Sequence, residues 1–289
     1  MNPPKITAEK CTNCGICVLV CPSFVIDLID EKARVSREEW CIGCGHCEAV
    51  CPTEAVLHGV TFFEGHPNQG ARPAVSPEAL ELLLRERRSV RNYTEDPVSQ
   101  EVLRIVLEAG RYGPTGTNSQ NVHYVVLTSL DQISQLREMT IGFYEKVFSR
   151  ARGRLSGFLV SLVAGRKILE YLRASLPKVE YAYEQMRTGK DRVFYHAPVV
   201  MLAHAESWDT CSCFNCSVAL YHCSLMAHTL GLGCCFNGLL VNAVNRSRKI
   251  KRWLGIPADH ECYSAMTLGY QNVKYQRLVH RDPPKVSWR

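Results

Sequence analysis

Eight cysteines near the N-terminus recur in a spacing that suits metal chemistry. The run CTNCGICVLVCP begins at Cys11, and CIGCGHCEAVCP, beginning at Cys41, repeats its pattern of four cysteines closed by a proline. Four thiolates are needed to hold a cubane of four irons and four sulfides, and gaps of two residues let one tight loop supply three of them. Zinc sites use separated cysteine pairs, and disulfides are typical of secreted chains. The repeated run therefore predicts two iron–sulfur clusters.

The eight cysteines divide into two expected ligand sets, because the fourth cysteine of each run reaches the other cluster in two-cluster proteins. The sets are Cys11, Cys14, Cys17 and Cys51 for one [4Fe-4S] cluster, and Cys41, Cys44, Cys47 and Cys21 for the other. Both runs resemble the motif of bacterial two-cluster ferredoxins over residues 1–60. Within this region we expect a short strand at residues 55–58 that pairs with a hairpin near residues 25–35.

A second candidate segment is RRSVRNY, residues 87–93. In an extended chain, Arg87, Ser89 and Arg91 share one side. Two guanidinium groups and a hydroxyl suit a phosphate monoester, although a solvated basic face has the same composition.

A third candidate segment is the turn GPTGTNSQN, residues 113–121. The carboxamides of Asn118 and Gln120 can read the polar edge of a planar heteroaromatic ring. An ordinary polar turn looks the same, so this segment alone leaves both interpretations open.

The order of segments along residues 76–289 resembles the FMN-dependent nitroreductase family. The matching segments are RRSVRNY, GPTGTNSQN, HAPVVMLAHA, GLGCCFNG and LGYQ. The resemblance implies an α+β fold, a bound FMN and a homodimer through this domain. It also implies an FMN site in which Arg87 and Ser89 contact the phosphate or ribityl chain and Arg91 contacts the pyrimidine edge. Asn118 would contact the ring, with Pro114, Thr115 and Gln120 around it, and the backbone of Asn237 and Gly238 would lie near N5. Arg281 or Arg277 would contact the phosphate.

Sequence signals also place the elements that carry these residues. Ser76 and Ser99 are cap signals for two helices, and residues 198–205 and 262–268 are predicted strands. Thr210 is expected to cap a long, buried helix that ends before Gly231. The chain thus divides into a ferredoxin-type domain (1–60), a linker (61–75) and an FMN-binding domain (76–289), and the overall fold class is α+β.

Four cysteines in the long helix raise the question of a third cluster: Cys211, Cys213, Cys216 and Cys223. Residues two apart on a helix point to different faces, and no proline closes the run, so we interpret them as small buried apolar residues. The glycines of GLGCCFNG miss the dinucleotide-binding spacing, because the third lies five residues after the second instead of three. A Rossmann fold is therefore not expected.

Composition limits the setting. Of 289 residues, 46% are apolar, which is enough to fill a sizeable core. The apolar run 155–165 is too short to cross a bilayer, and the first ten residues lack the apolar core of a signal peptide. We therefore expect a cytoplasmic protein with no membrane partner. The formal charge of +6 falls towards neutral once two clusters of about −2 each and a flavin phosphate are counted, so no nucleic-acid partner is expected.

Taken together, these features predict an anaerobic iron–sulfur flavoprotein oxidoreductase. Iron–sulfur clusters move single electrons, whereas a flavin can collect them and deliver pairs. The expected acceptor is a small conjugated molecule such as a nitroaromatic or a quinone, and the donor is reduced ferredoxin or NAD(P)H. Two alternatives remain open: an electron-transfer module with a protein acceptor, and reductive dehalogenation or flavin fragmentation on the same fold.

Overall fold

The structure, a computed structural model, describes residues 3–58, 75–152 and 165–289. The expected linker at 61–75 lies outside these ranges except for Val75, and the apolar run 155–165 does so except for Gly165. Contacts between Cα atoms divide the chain into two compact units. The first comprises Met1–Ala74 with Thr115–Gln120, and the second comprises Val75–Pro114 with Asn121–Arg289.

The first unit is built from two small antiparallel sheets and two single-turn helices. Strands β1 (Lys5–Ile6) and β4 (Val56–Leu57) form one sheet, and β2 (Ile26–Ile29) and β3 (Lys32–Val35) form the other. Helices α1 (Ile16–Leu19) and α2 (His46–Ala49) each follow a glycine with positive φ, Gly15 at 70° and Gly45 at 72°. That conformation favours glycine, which lacks a Cβ atom.

The strand pairing predicted for β4, the last strand of this unit, was wrong. Val56 lies opposite Ile6 instead of opposite the hairpin, whose two strands pair with each other. The N-terminal strand has two residues, which is too short to give a periodic signal in the sequence.

The second unit begins with two capped helices. In α3 (Pro77–Glu86) the side chain of Ser76 accepts a hydrogen bond from the amide of Ala79 at 3.2 Å, and in α4 (Gln100–Arg111) Ser99 accepts one from Val102 at 3.3 Å. Both helix starts predicted from serine caps are confirmed. Two longer helices, α5 (Leu130–Arg152) and α6 (Arg166–Arg187), come later in the chain.

A four-stranded antiparallel sheet forms the centre of the second unit. Its order is β5 (His123–Leu127), β6 (Val199–Glu206), β8 (His260–Tyr270) and β7 (Leu232–Phe236). Alternate residues of β6 enter two different cores. Met201 and Ala203 pack towards α4 and the long helix α7 (Ser212–Thr229), whereas Val200 and Leu202 pack towards α5, α8 (Gly238–Arg246) and α9 (Arg248–Trp253). The sheet is therefore buried on both faces.

The cap predicted for the long helix was wrong. Helix α7 begins at Ser212, and the carboxylate of Asp209 accepts a hydrogen bond from the amide of Cys211 at 2.8 Å. Cys211 therefore takes the N-cap position, where no side chain makes a capping hydrogen bond.

Residues 87–93 run beside β7. The amide of Val90 donates to the carbonyl of Cys234 at 2.9 Å, and Ser89 forms an isolated parallel bridge with the same residue. Val90 packs so closely on Gly233 that a Cβ atom there would lie 2.6 Å from Val90 Cγ2. Glycine is therefore required for this approach.

Within the described ranges, none of the helices has the length and apolar character needed to cross a membrane.

Candidate functional site

The eight cysteines of the N-terminal runs surround two cavities. One is lined by Cys21, Cys41, Cys44 and Cys47, and the other by Cys11, Cys14, Cys17 and Cys51. Each thus has four sulfur donors arranged around a mostly apolar space. This donor set fits a [4Fe-4S] cluster, which prefers soft thiolates in a partly desolvated site.

Amide and side-chain donors approach the sulfurs. The amide of Val25 lies 3.3 Å from Cys21 Sγ, and that of Ala55 lies 3.2 Å from Cys51 Sγ. The backbone amides of Ala33 and Asn13 lower the pKa of Cys11. Burial instead raises the pKa of Cys47 to about 11, an effect that metal binding reverses because a coordinating thiol is deprotonated. N–H groups aimed at sulfur stabilise the negative charge of a bound cluster.

In the second unit, Arg87 has the features of an anion ligand. Its Nε and Nη1 atoms are buried and have no hydrogen-bond partner, and its guanidinium carbon lies 5.8 Å from the ring centre of Tyr221. Leaving a buried charged donor unsatisfied is costly. A phosphate group would supply both acceptors and opposite charge, so this residue fits the phosphate of FMN.

Three further cationic side chains line a cavity that includes residues of the C-terminal tail. Arg88, Lys274 and Arg277 line this cavity together with His228 and Glu86. The Nε atom of Arg88 is also buried without a partner, while its Nη1 donates to the carbonyl of Arg87 at 2.9 Å. Of the two tail arginines expected at the phosphate, Arg277 lines this cavity, and Arg281 lies in the exposed tail that follows it.

Arg91 is exposed and lies near an aromatic ring. Its guanidinium carbon is 5.8 Å from the ring centre of Tyr195, and its Nη1 donates to the carbonyl of Ser89 at 3.3 Å. Burial raises the pKa of the Cys235 thiol, and the positive charge of Arg91 partly offsets this increase. Arg91 therefore presents a positive charge at the surface beside the end of β7.

The turn that was expected to contact the flavin ring, Thr115–Gln120, belongs to the first unit. Thr117, Asn118 and Gln120 all have positive φ, between 47° and 54°. Nδ2 of Asn118 donates to the carbonyl of Ile42 at 3.0 Å, and the amide of Gln120 donates to Thr115 Oγ1 at 3.0 Å. Three strained non-glycine residues in one turn are unusual and mark it as a candidate functional segment. Pro114, just before the turn, belongs to the second unit.

The two residues expected near N5, Asn237 and Gly238, differ in whether the backbone amide already has a hydrogen-bond partner. The amide of Asn237 donates to the carbonyl of Ala265 at 2.7 Å, and its side chain caps α8 by accepting from the amide of Leu240 at 3.0 Å. Its amide is therefore already used. Gly238, exposed in the first turn of α8, is left as the backbone candidate, since the first amides of a helix have no partner within the helix.

Comparison with known proteins identifies the larger unit. Residues 84–270, more than half of the chain, match the model of the Nitroreductase family. The chain belongs to the nitroreductase family. Residues 10–55 match the 4Fe-4S dicluster domain. Both resemblances inferred from the sequence are thus confirmed, as is the α+β fold class.

Solved structures share the nitroreductase fold. A nitroreductase with bound FMN from Bacteroides fragilis is 22% identical, with 73% of this chain and 100% of that chain covered and a TM-score of 0.54. A nitroreductase with bound FMN from Desulfitobacterium hafniense is 19% identical, with 74% and 99% covered and a TM-score of 0.52.

A sequence relative from a crustacean matches part of the chain. Iodotyrosine deiodinase from Daphnia pulex is 25% identical over 117 residues. This stretch spans 39% of each chain, so the chain matches well under half of that relative's length.

The cysteines of helix α7 lie in several environments in the nitroreductase domain. Cys216 and Cys223 are buried in the core beside the sheet, and burial raises the pKa of each to about 12. Cys213 is exposed. Neutral buried thiols behave as small apolar side chains, so the predicted packing role agrees with the positions of Cys216 and Cys223. The prediction was wrong for Cys213, which is exposed, and Cys211 is only partly buried.

Three residues of these sites lack a local sequence signal. The alternation of side chains that selects Arg87, Ser89 and Arg91 leaves out Arg88, and nothing in the tail distinguishes Lys274 from its basic neighbours. His58 comes seven residues after the last cluster cysteine, yet the structure places its ring beside Cys41.

Proposed function

We propose that this protein is an iron–sulfur flavoprotein oxidoreductase that exchanges electrons between two [4Fe-4S] clusters and FMN and reduces a small conjugated acceptor, such as a nitroaromatic or a quinone. One observation carries the proposal: a single chain combines two cavities with four cysteines each and a nitroreductase domain in which the Nε and Nη1 atoms of Arg87 are buried without a hydrogen-bond partner. FMN, when bound, accepts electrons singly and delivers them in pairs.

The chain's own residues bind and position these groups. The two cysteine sets hold the clusters, and nearby amides stabilise their negative charge. In the nitroreductase domain, Arg87 and Ser89 bind the FMN phosphate, with Arg88 and Arg277 contributing positive charge. Arg91 supplies the positive charge at the ring and Gly238 a backbone donor. Asn118 is not included, because its carboxamide already donates to Ile42.

Stoichiometry is the direct test. Protein purified under argon is expected to contain about eight irons, about eight acid-labile sulfides and one FMN per chain. Cys14→Ser removes one expected ligand and should lower the iron content by up to half, whereas Cys213→Ser alters an exposed cysteine outside both cavities and should leave it unchanged. Iron without flavin, or flavin without iron, would contradict the proposal.

Anaerobic stopped flow identifies the donor. Flavin absorbance is followed after mixing with NADH, with NADPH or with reduced ferredoxin. Rapid reduction by ferredoxin alone assigns the clusters as the entry point of electrons. Rapid reduction by a nicotinamide assigns them as an exit and favours a protein acceptor.

Reductive dehalogenation is a second candidate, because the Daphnia relative is an iodotyrosine deiodinase. The test is iodide release from 3-iodo-L-tyrosine, measured beside reduction of nitrobenzene with the same reduced enzyme. Iodide release without turnover of nitrobenzene would show that the protein is a reductive dehalogenase and not a reductase of nitroaromatics.

We also propose that the chain forms a homodimer through the nitroreductase domain. Helix α7 presents Phe214 and Tyr221 at the surface, 57% and 37% exposed. Large apolar side chains on an otherwise packed helix are typical of an interface between subunits.

A further inference from the structure

Three histidines and a glutamate gather at one end of the central sheet, outside the sites described above. His123 begins β5, His204 and Glu206 lie near the end of β6, and His260 begins β8. The strand register places His123 opposite His204, and Glu206 opposite His260. Cross-strand partners share a face of the sheet, as do residues two apart, so all four side chains project from the same face.

The geometry of this cluster suits a metal ion. One ligand atom from each of His123, Glu206 and His260 lies within 4.8 Å of the other two. Imidazole nitrogens and carboxylate oxygens are the ligands that Zn²⁺ and its neighbours in the first transition row prefer, and the set contains no sulfur.

Burial is graded across the three ligands. His260 is buried, Glu206 is half-buried and His123 is exposed. The cluster therefore opens to solvent on one side. Sites with three protein ligands and an open side keep a coordination position for water or a small ligand.

Neighbouring groups hold the ligands in place. Nδ1 of His204 lies 3.0 Å from Nδ1 of His260, a contact that engages one nitrogen of His260 and leaves Nε2 for an ion. Asn121 donates through Nδ2 to Glu206 Oε2 at 3.1 Å and to Asp209 Oδ2 at 2.9 Å, which fixes the glutamate carboxylate. Metal ligands are typically oriented by such outer contacts.

Ring contacts restrict His123 as well. Its imidazole stacks on that of His204, with centroids 5.4 Å apart and planes 18° from parallel, and meets the ring of His260 edge-on at 5.0 Å. An exposed side chain thus has a defined orientation before any ion binds.

We propose that His123, Glu206 and His260 bind one divalent first-row transition-metal ion, with His204 and Asn121 as positioning residues. The site is distinct from both cysteine cavities and from the proposed FMN ligands. This proposal is based on the strand register and the side-chain geometry, and it does not depend on the proposed reaction.

The experiment is a Zn²⁺ titration of the full-length protein with its clusters loaded, so that the cluster cysteines are occupied. Isothermal calorimetry under argon should show one Zn²⁺ per chain. His123→Gln and Glu206→Gln should each weaken binding by about tenfold or more, since loss of even an outer contact typically costs that much. His280→Gln, in the exposed tail, is the matched control and should bind as the wild type does.

Two further measurements make the result decisive. Circular dichroism and iron content verify that each variant is folded and loaded; His123 is exposed, so its substitution should leave both unchanged. X-ray absorption at the zinc edge should show nitrogen and oxygen at about 2.0–2.2 Å. Absence of binding, equal affinity in His123→Gln, or sulfur at about 2.3 Å would overturn the proposal.

Discussion

His58 Nε2 lies 3.5 Å from Sγ of Cys41, one of the four cysteines around the first cavity. The histidine is buried, and its backbone amide donates to the carboxylate of Glu48. In the tautomer that carries the proton on Nε2, the ring would donate to the sulfur and so stabilise the more negative, reduced state of a bound cluster. We therefore expect His58 to raise the reduction potential of a cluster bound at Cys41 without being a ligand itself.

Replacing this histidine should shift one cluster only. His58→Phe removes a hydrogen bond of about 1 kcal/mol, which corresponds to a potential lower by roughly 40 mV for a one-electron couple. A redox titration followed by electron paramagnetic resonance measures both clusters at once. The cluster on Cys11, Cys14, Cys17 and Cys51 serves as the internal control, and an equal shift in both, or in neither, would contradict the assignment.

Arg87 should determine the preference for the phosphorylated flavin. Arg87→Ala is expected to weaken FMN binding by about 10- to 100-fold, because hydrogen bonds to charged groups contribute about 1.5–3 kcal/mol. Riboflavin, which lacks the phosphate, should bind to the variant and to the wild type alike. Fluorescence titration with both flavins makes the comparison.

The matched control for this change is Arg85→Ala. Arg85 lies two residues earlier on α3, is 61% exposed and pairs with Glu81 at the surface. Its loss should leave both flavin affinities unchanged. If riboflavin and FMN weaken equally in Arg87→Ala, the residue supports the fold and not the phosphate.

Gly233→Ala should destabilise the nitroreductase domain. The added Cβ atom would meet Val90 Cγ2 at 2.6 Å, and overpacking of this kind typically costs about 1–3 kcal/mol. Urea denaturation followed by circular dichroism measures the change. Gly142→Ala, in α5 with no atom within 4 Å of the new Cβ, should instead stabilise by up to about 1 kcal/mol because alanine favours a helix. A neutral result for Gly233→Ala would mean that Val90 moves aside.

Phe214→Glu should dissociate the proposed homodimer. An unpaired carboxylate placed in an apolar interface must be desolvated, which is costly. Light scattering after gel filtration gives the mass of each variant. Ile105→Glu on α4, where the native side chain is 46% exposed, carries the same change outside α7 and should remain dimeric. A monomeric wild-type protein would show that there is no dimer. A dimeric Phe214→Glu variant would show that the interface lies elsewhere.

Local signals account for most of what the sequence predicted. The serine caps at Ser76 and Ser99 act within one helical turn, so the helix starts could be located from the residues alone. The cysteine runs are equally local. The structure places their cysteines around two cavities in the two sets expected from the spacing, and their role as ligands remains a proposal.

Long-range relationships were not accessible in the same way. The pairing of Val56 with Ile6 joins the two ends of the N-terminal unit, and nothing near either residue indicates the other. The histidine cluster depends on the register of three strands that are far apart in the chain. A histidine such as His123 has no recognisable spacing to His260, so only the folded sheet shows that they meet.

The burial of β6 on both faces has a consequence for hydrogen exchange. Residues 199–205 are all buried, and the strand is hydrogen-bonded on both sides to β5 and β8. Amides of this kind exchange only when the surrounding structure opens cooperatively. The β6 protons should therefore be among the last in the nitroreductase domain to be replaced by deuterium, and their exchange rate reports the free energy of its global opening.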